Sequence, residues 1–168
     1  MLKIIITGPE SSGKTTLCKQ LSKHFKVPFI NEYARDYIDN LDRDYDKEDL
    51  LKIAKEQLSL EQANESFLFC DTDLITIKVW SLFKYKVCDN WIIDQIEKQK
   101  SENRFYILCK PDIPWVYDSQ RENPNDREDI FEIYKTKLEE LGRNYFVVKG
   151  KDRFQQSISK ISFLINNI

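Results

Sequence analysis

The sequence predicts an α/β chain, with three layers built on a mostly parallel five-stranded sheet flanked by helices. Three observations predict it. Apolar, β-branched runs alternate with amphipathic helical stretches from one end of the chain to the other, the order that gives a doubly wound sheet. A glycine-bounded loop, Gly8-Pro9-Glu10-Ser11-Ser12-Gly13-Lys14-Thr15, stands between the first apolar run and the first helical stretch. A later apolar run, Phe67-Leu68-Phe69-Cys70, ends on the carboxylate of Asp71.

The elements follow in order. Leu2 to Thr7 is almost wholly apolar, as a parallel strand covered on both faces should be. Lys14 to about Phe25 reads as helix, with Leu17, Leu21 and Phe25 recurring on one face. Val27 to Ile30 is a short second strand, with Asn31-Glu32-Tyr33-Ala34-Arg35 at its carboxyl end. Residues 36–46 are acidic and fit a lid, a short helix or a loop, and the acidic stretch from Asp36 to Asp49 reads as a solvated face. Lys47 to Asn64 is helical, with Leu50, Ile53, Ala54, Leu58 and Glu61 at helical spacing. Ser66 to Cys70 is a third strand, running into Asp71-Thr72-Asp73, and a helix rich in aromatic residues spans about Leu74 to Tyr85. Arg104 to Cys109 is a fourth strand and Pro111 to Asp126 is irregular. Arg127 to Leu141 returns to helix, Tyr145 to Lys149 is a fifth strand, and a last helix covers about Arg153 to Ile165. No internal repeat or linker interrupts this series, so residues 1–168 are expected to form a single domain.

Composition narrows the function classes. A chain of 168 residues, 41% hydrophobic and 32% charged, has enough apolar side chains for a core without disulfides or a structural metal. A formal charge of -2 supplies no field for nucleic acid or a membrane surface. No apolar run approaches the roughly 20 residues of a membrane span, and the one in MLKIIITGPE is too short for a signal peptide. Cys18, Cys70, Cys88 and Cys109 are scattered, with no C-x-x-C pair, and are expected to be reduced and buried. A cytoplasmic protein acting on a small molecule is the expectation.

The loop supplies the chemistry. Gly8 to Thr15 matches G-x-x-x-x-G-K-[ST], the phosphate-binding P-loop, and the flanking strand and helix are where that motif requires them. The glycines let successive backbone N–H groups turn inward toward phosphate oxygens, and the helix starting at Lys14 adds its positive end. Gly8, Pro9, Glu10, Ser11, Ser12, Gly13, Lys14, Thr15 and Thr16 are therefore assigned to ATP, with Lys14 reaching the β- and γ-phosphates. The Thr15 hydroxyl is assigned to Mg²⁺, together with Asp71 at the end of its hydrophobic strand. One of Asp71 and Asp73 is expected to serve only as a helix cap.

Ligands of open α/β sheets bind at the carboxyl ends of the strands, which brings residues after the second strand to the same rim. Glu32 is the candidate to orient an acceptor hydroxyl and take its proton, and Arg35 to neutralise transferring charge. The plainer reading of Glu32 and Arg35 is a surface ion pair. Tyr33 either stacks on a substrate ring or packs. Arg121 and Arg127 lie in a polar segment ahead of a helix, as a lid closing over ATP would need, or else that segment is simply solvated. Trp115 either flanks the site or packs locally, and His24, alone near a helix end, reads as structural.

GPESSGKTT, NEYAR, CDTDLITIKVW and DIPWVYDSQR, in that order, resemble the kinase domain of NadR-type proteins, the ribosylnicotinamide kinases. The resemblance spans nearly the whole chain, and the segments after the P-loop are its specific part. It implies phosphorylation of the 5′-hydroxyl of nicotinamide riboside by ATP and Mg²⁺. It also implies Glu32, Tyr33 and Arg35 toward the riboside, Asp71 and Asp73 near metal and substrate, and Arg121 in the lid; Trp115 is a further candidate substrate contact. Two departures stand out. The better-known bifunctional members carry a tryptophan directly before the Glu-Tyr pair, where this chain has Asn31, and the chain has room for the kinase alone. A kinase for another nucleoside or a nucleoside monophosphate is the first alternative; the aspartate-arginine pair typical of thymidylate kinases is replaced by Asp71-Thr72. A regulatory ATP-binding protein without a small substrate is the second, since a phosphate loop specifies binding rather than transfer.

Overall fold

The computed structural model describes residues 1–62 and 67–166. Strand β1 (Leu2–Thr7) lies at the centre of a five-stranded sheet, with β3 (Phe67–Asp71) and β4 (Asn103–Cys109) as its parallel neighbours. The short β2 (Phe29–Ile30) extends the sheet beyond β3, and β5 (Asn144–Val148) extends it beyond β4, all parallel. All six residues of β1 are buried, because helices cover both faces of the sheet. Its side chains alternate between two cores. Ile4 and Ile6 pack with Leu17, Cys18 and Leu21 of α1 (Lys14–Phe25) and with Ile161 of α7 (Arg153–Ile165). Ile5 faces the opposite layer, with Leu50 and Ile53 of α3 (Lys47–Leu60), Ile75 of α4 (Leu74–Tyr85) and Tyr134 of α6 (Arg127–Glu140). Ile6 pairs with Asp71 and Thr7 with Leu108, so β1, β3 and β4 end level and form one rim.

The acidic stretch is a solvated face, as expected, except at Asp49. Residues Tyr33–Asp39 form a short helix, α2. Asp49 is wholly buried, not solvated: it accepts from Tyr37 Oη (2.8 Å) and from both terminal nitrogens of Arg43 (2.7 and 3.0 Å), and it closes a capping box with Asp46. A helix that the sequence reading left unassigned, α5 (Asn90–Lys98), is capped by Asp89, whose side chain accepts from Trp91 N, and buries Ile92 and Ile96 one turn apart. Strand β2 is two residues shorter than expected, and α3 stops at Leu60. Glu61 and Gln62 form a turn where the helix is expected to continue, and the rest of that continuation to Asn64, with the start of β3 at Ser66, lies outside the described residues. All four cysteines are free and buried. Among the described residues no helix is long and apolar enough to cross a membrane.

Candidate active site

The loop after β1 takes the shape its glycines permit. Gly8 has φ 135°, and a Cβ there would lie 2.6 Å from the carbonyl oxygen of Cys109, so the loop can press against the end of β4 only without a side chain. Gly13 (φ 83°) makes the left-handed turn into α1, whose first turn carries no acidic side chain to oppose an anion. Lys14 donates to the carbonyl of Pro9 at 2.8 Å, its ammonium spanning the curl of the loop. The Ser12 hydroxyl is buried without a partner.

Sequence reasoning missed the residue that fixes this loop from behind. Arg153, at the start of α7, donates to the carbonyl oxygens of Ser12 and Gly150, the latter at 3.0 Å, and pairs with Asp112 just past β4. Asp112 also accepts from Gly150 N at 2.7 Å. One guanidinium thus ties the phosphate loop to the turns after β4 and β5. No local motif signals it, because Ser12 and Arg153 meet only through the fold.

Asp71 ends β3 beside Thr15 and is buried, and neither of its carboxylate oxygens meets a partner in ordinary hydrogen-bond geometry. Burial pushes its carboxyl above the usual carboxylate range, with the Thr15 hydroxyl and then Lys14 pulling the other way. A buried carboxylate with open lone pairs next to a P-loop hydroxyl fits a hydrated Mg²⁺. No cluster of His, Cys, Asp and Glu that could hold a metal alone occurs among the described residues, so nucleotide oxygens would complete the shell.

Asp73 takes the cap role and not the substrate role. Thr72 has φ 73°, which turns the chain after β3, and Asp73 then points into the core. There it accepts from Ile75 N (3.0 Å), Tyr106 Oη (2.7 Å) and the Arg104 guanidinium (3.4 Å), with no exposure left.

On the acceptor side, Glu32 precedes α2 and lines the cavity with its side chain 23% exposed. Burial raises its carboxyl above the usual range, and Lys14 is the strongest opposing influence. Arg35 is 3.6 Å from Glu32 and 2.9 Å from Asp118, which holds its charge firmly. Tyr33 does not line the cavity: it lies against Tyr37 (6.0 Å between ring centroids) and packs on the core, so its expected ring-stacking role is not supported by its position.

The segment after β4 is docked across the phosphate loop, as a lid would be. Ser11 Oγ accepts from Val116 N (3.1 Å), and Glu10 accepts from the backbone N–H groups of Glu122 (3.1 Å) and Asn123. Arg121 lines the cavity with its Nε buried and unpartnered. Arg127 sits behind the loop, donating to Ser11 and Ile113 carbonyls at 3.2 and 3.1 Å, with its guanidinium 5.6 Å from the Trp115 ring centre. Neither Arg127 nor Trp115 lines the cavity, so Arg127 braces the loop and Trp115 packs on Arg127. His24 lies edge-on to Phe25 and Phe154 at the far end of α1, remote from the rim.

The cavity is about 1080 Å³, including its open mouth. One wall is the phosphate loop from Gly8 to Thr16. The rest is lined by Glu32, Arg35 and Arg121 and by a chamber that includes Tyr45, Val79, Trp80, Phe83 and Tyr134. The sequence reading did not single out Tyr45, Trp80 and Phe83; only the 3.6-residue spacing of Thr76, Val79, Trp80 and Phe83 hinted that they share a face.

Comparison with known proteins agrees with this architecture. The chain is 28% identical over 162 residues to the trifunctional NAD biosynthesis/regulator protein NadR of Escherichia coli (strain K12), which covers 89% of this chain. It spans 38% of that relative's length. Among solved structures, NadR protein in complex with NR superposes with TM-score 0.75 at 23% identity, covering 95% of this chain and 50% of that one. NadR protein in complex with NAD and AMP-PNP gives TM-score 0.67 at 21% identity, covering 95% and 48%. The expected resemblance therefore holds over most of the chain, in sequence and in fold. The family model described as an AAA domain matches residues 3–156, and the chain belongs to that family.

Proposed function

We propose that this protein is an ATP-dependent kinase that phosphorylates the 5′-hydroxyl of nicotinamide riboside, giving nicotinamide mononucleotide and ADP. The observation that carries the proposal is one cavity lined both by a complete phosphate loop and by the partly buried carboxylate of Glu32 together with aromatic side chains. The similarity to NadR supports the choice of acceptor.

In the transfer, the acceptor oxygen attacks the γ-phosphorus in line while the bond to the ADP bridging oxygen breaks. Glu32, its carboxyl raised above the usual range by burial with Lys14 pulling the other way, takes the hydroxyl proton in its ionised form. The loop amides and Lys14 hold the β- and γ-phosphates, and Arg121 brings its unpartnered Nε toward the transferring group. Thr15 and Asp71 would hold Mg²⁺, which supplies charge neutralisation at the phosphate oxygens. Catalysis here is positioning and charge, with no covalent intermediate.

The test is ADP release from Mg-ATP by the purified protein with nicotinamide riboside, common nucleosides and nucleoside monophosphates as acceptors. Turnover with nicotinamide riboside alone, yielding the mononucleotide, is expected. Turnover only with another acceptor would keep the kinase and overturn the substrate. No acceptor-dependent release at all would favour a regulatory ATP-binding protein.

A further inference from the structure

Asn31 occupies the position where the resemblance implies a ring platform, and it is exposed. The cavity is nevertheless lined by aromatic side chains that no phosphate-binding role uses, among them Tyr45, Trp80 and Phe83. Helix α4 runs away from the rim along one cavity wall, starting beside Thr76, which is hydrogen-bonded to Thr7 at the end of β1. Phe83 is seven residues further on, about 10 Å along the helix axis at 1.5 Å per residue. That distance is the scale of a nucleoside whose ribose lies at the rim.

These rings are wired to the lid. Trp80 Nε1 donates to the Tyr45 hydroxyl oxygen at 3.0 Å, and the two rings meet edge-on with centroids 4.9 Å apart. With that lone pair used, the Tyr45 hydroxyl donates to Glu122 Oε2 at 2.9 Å. Burial and the neighbouring Glu122 carboxylate hold the Tyr45 phenol far above its usual range, so this proton stays in place. Lys84 pairs with Glu122 Oε1 at 2.9 Å and places its ammonium 3.8 Å from the Tyr45 ring centre. The backbone N–H of the same Glu122, and that of Asn123, are held by Glu10 of the phosphate loop. One lid residue therefore touches the aromatic chamber with its side chain and the phosphate loop with its amide.

We infer that Tyr45, Trp80 and Phe83 bind the acceptor's aromatic ring, and that the Tyr45–Glu122 hydrogen bond makes ring binding and lid closure over the phosphate loop one coupled event. The ring part rests on the kinase reading above. Because Lys84 already covers one face of Tyr45, Trp80 and Phe83 supply the ring surfaces on which a flat aromatic ring of the acceptor stacks. A pyridinium riboside carries such a ring.

Two measurements test this. Hydrogen exchange is followed by mass spectrometry on unliganded wild type and Tyr45→Phe, in peptides covering 116–125, with a β1 peptide as control. Loss of one partly exposed hydrogen bond to a carboxylate should speed exchange in the lid peptides by about 3- to 10-fold and leave β1 unchanged. Unchanged lid exchange would overturn the latch. Calorimetry then measures nicotinamide riboside binding with and without a non-hydrolysable ATP analogue and Mg²⁺. Wild type should show mutual enhancement, which Tyr45→Phe reduces toward none. Trp80→Leu should weaken riboside binding about 10-fold while leaving the analogue's affinity intact. Full enhancement in Tyr45→Phe, or wild-type riboside affinity in Trp80→Leu, would overturn the coupling or the ring site. If wild type itself fails to bind the riboside, the substrate proposal and the pyridinium ring site fall together, and the exchange experiment still decides the latch.

Discussion

Arg153→Ala isolates the support of the phosphate loop from the loop itself. Truncation leaves the Ser12 carbonyl without its donor in a residue that has no exposure, a cost of about 1–3 kcal/mol. The Asp112 pair is partly solvated, at 11% and 27% side-chain exposure, and contributes under about 1 kcal/mol. The Gly150 carbonyl belongs to an exposed residue and can take water instead. Loss of the aliphatic stem against the loop adds about 1 kcal/mol. A destabilisation of about 3 kcal/mol follows, which for a chain of this length lowers Tm by about 6–12 °C.

Because the clamp acts on loop geometry, ATP affinity should fall about 10-fold, equivalent to about 1.4 kcal/mol, with kcat for bound substrates changing less. Arg153→Lys should recover little, since a point charge cannot bridge two carbonyls and a carboxylate at once. Differential scanning calorimetry and titration with a non-hydrolysable ATP analogue read both effects. A variant that melts early yet binds the analogue as tightly as wild type would make Arg153 a structural cap and refute its role in shaping the loop.

Other outcomes are expected from the same geometry. Lys14→Ala should reduce kcat/KM at least about 100-fold with Tm little changed, because among the described residues its ammonium makes one hydrogen bond, to the Pro9 carbonyl; ADP release and melting curves check this. Glu32→Gln should lower kcat far more than ATP affinity in steady-state kinetics, and an unchanged kcat would remove Glu32 from the proton transfer. Glu32 and Asp71 both carry raised carboxyl pKa values and act ionised, so the acid limb of kcat/KM should fall above the ordinary carboxylate range in a pH–rate profile. The same shifts mean the native state binds these protons more tightly than the unfolded chain. Stability of the ligand-free protein should therefore decline as pH rises from about 4 through the raised values, and Asp71→Asn should flatten that decline in a pH series of Tm.

The donor half of the site was legible because its requirements are local. Glycines at 8 and 13, a lysine and a hydroxyl follow one another in the chain, and the strand and helix that frame them are strongly patterned. Asp71 was legible for a similar reason, since the carboxyl end of a buried strand fixes where its side chain emerges. Asp73 was not, because its fate depends on Arg104 and Tyr106, which reach it only through the pairing of β4 with β1. Tyr33 was misplaced because α2 begins there. At helical spacing Tyr33 and Tyr37 pack together on the core away from the cavity, which Arg35 lines along with the core residues Ala34 and Ile38. Arg153, Asp112 and the Tyr45–Glu122 bond join residues far apart in sequence and leave no pattern in any window. Helix α5 does leave one, in the Asp89 cap and the Ile92–Ile96 spacing, which the sequence reading leaves unassigned.

The charges around the cavity divide the two arginines by role. Arg35 is held between Asp118 at 2.9 Å and Glu32 at 3.6 Å, so taking up phosphate charge would require it to give up carboxylates already in place. Its position links α2 to the lid, an arrangement reinforced by Gln120 Nε2, which donates to the Arg35 carbonyl at 3.2 Å and to Asp39. Arg121 has the opposite character. Its side chain is 19% exposed, its nearest carboxylate is Asp118 at 3.9 Å, and its Nε is buried without an acceptor. An unpaired buried donor in a lid is costly until an anion arrives, so phosphate bound beneath the lid would recover that cost on closure. On the proposed kinase reading, the arginine after the second strand is a strut, and the lid arginine is the one offered to the transferring phosphoryl group.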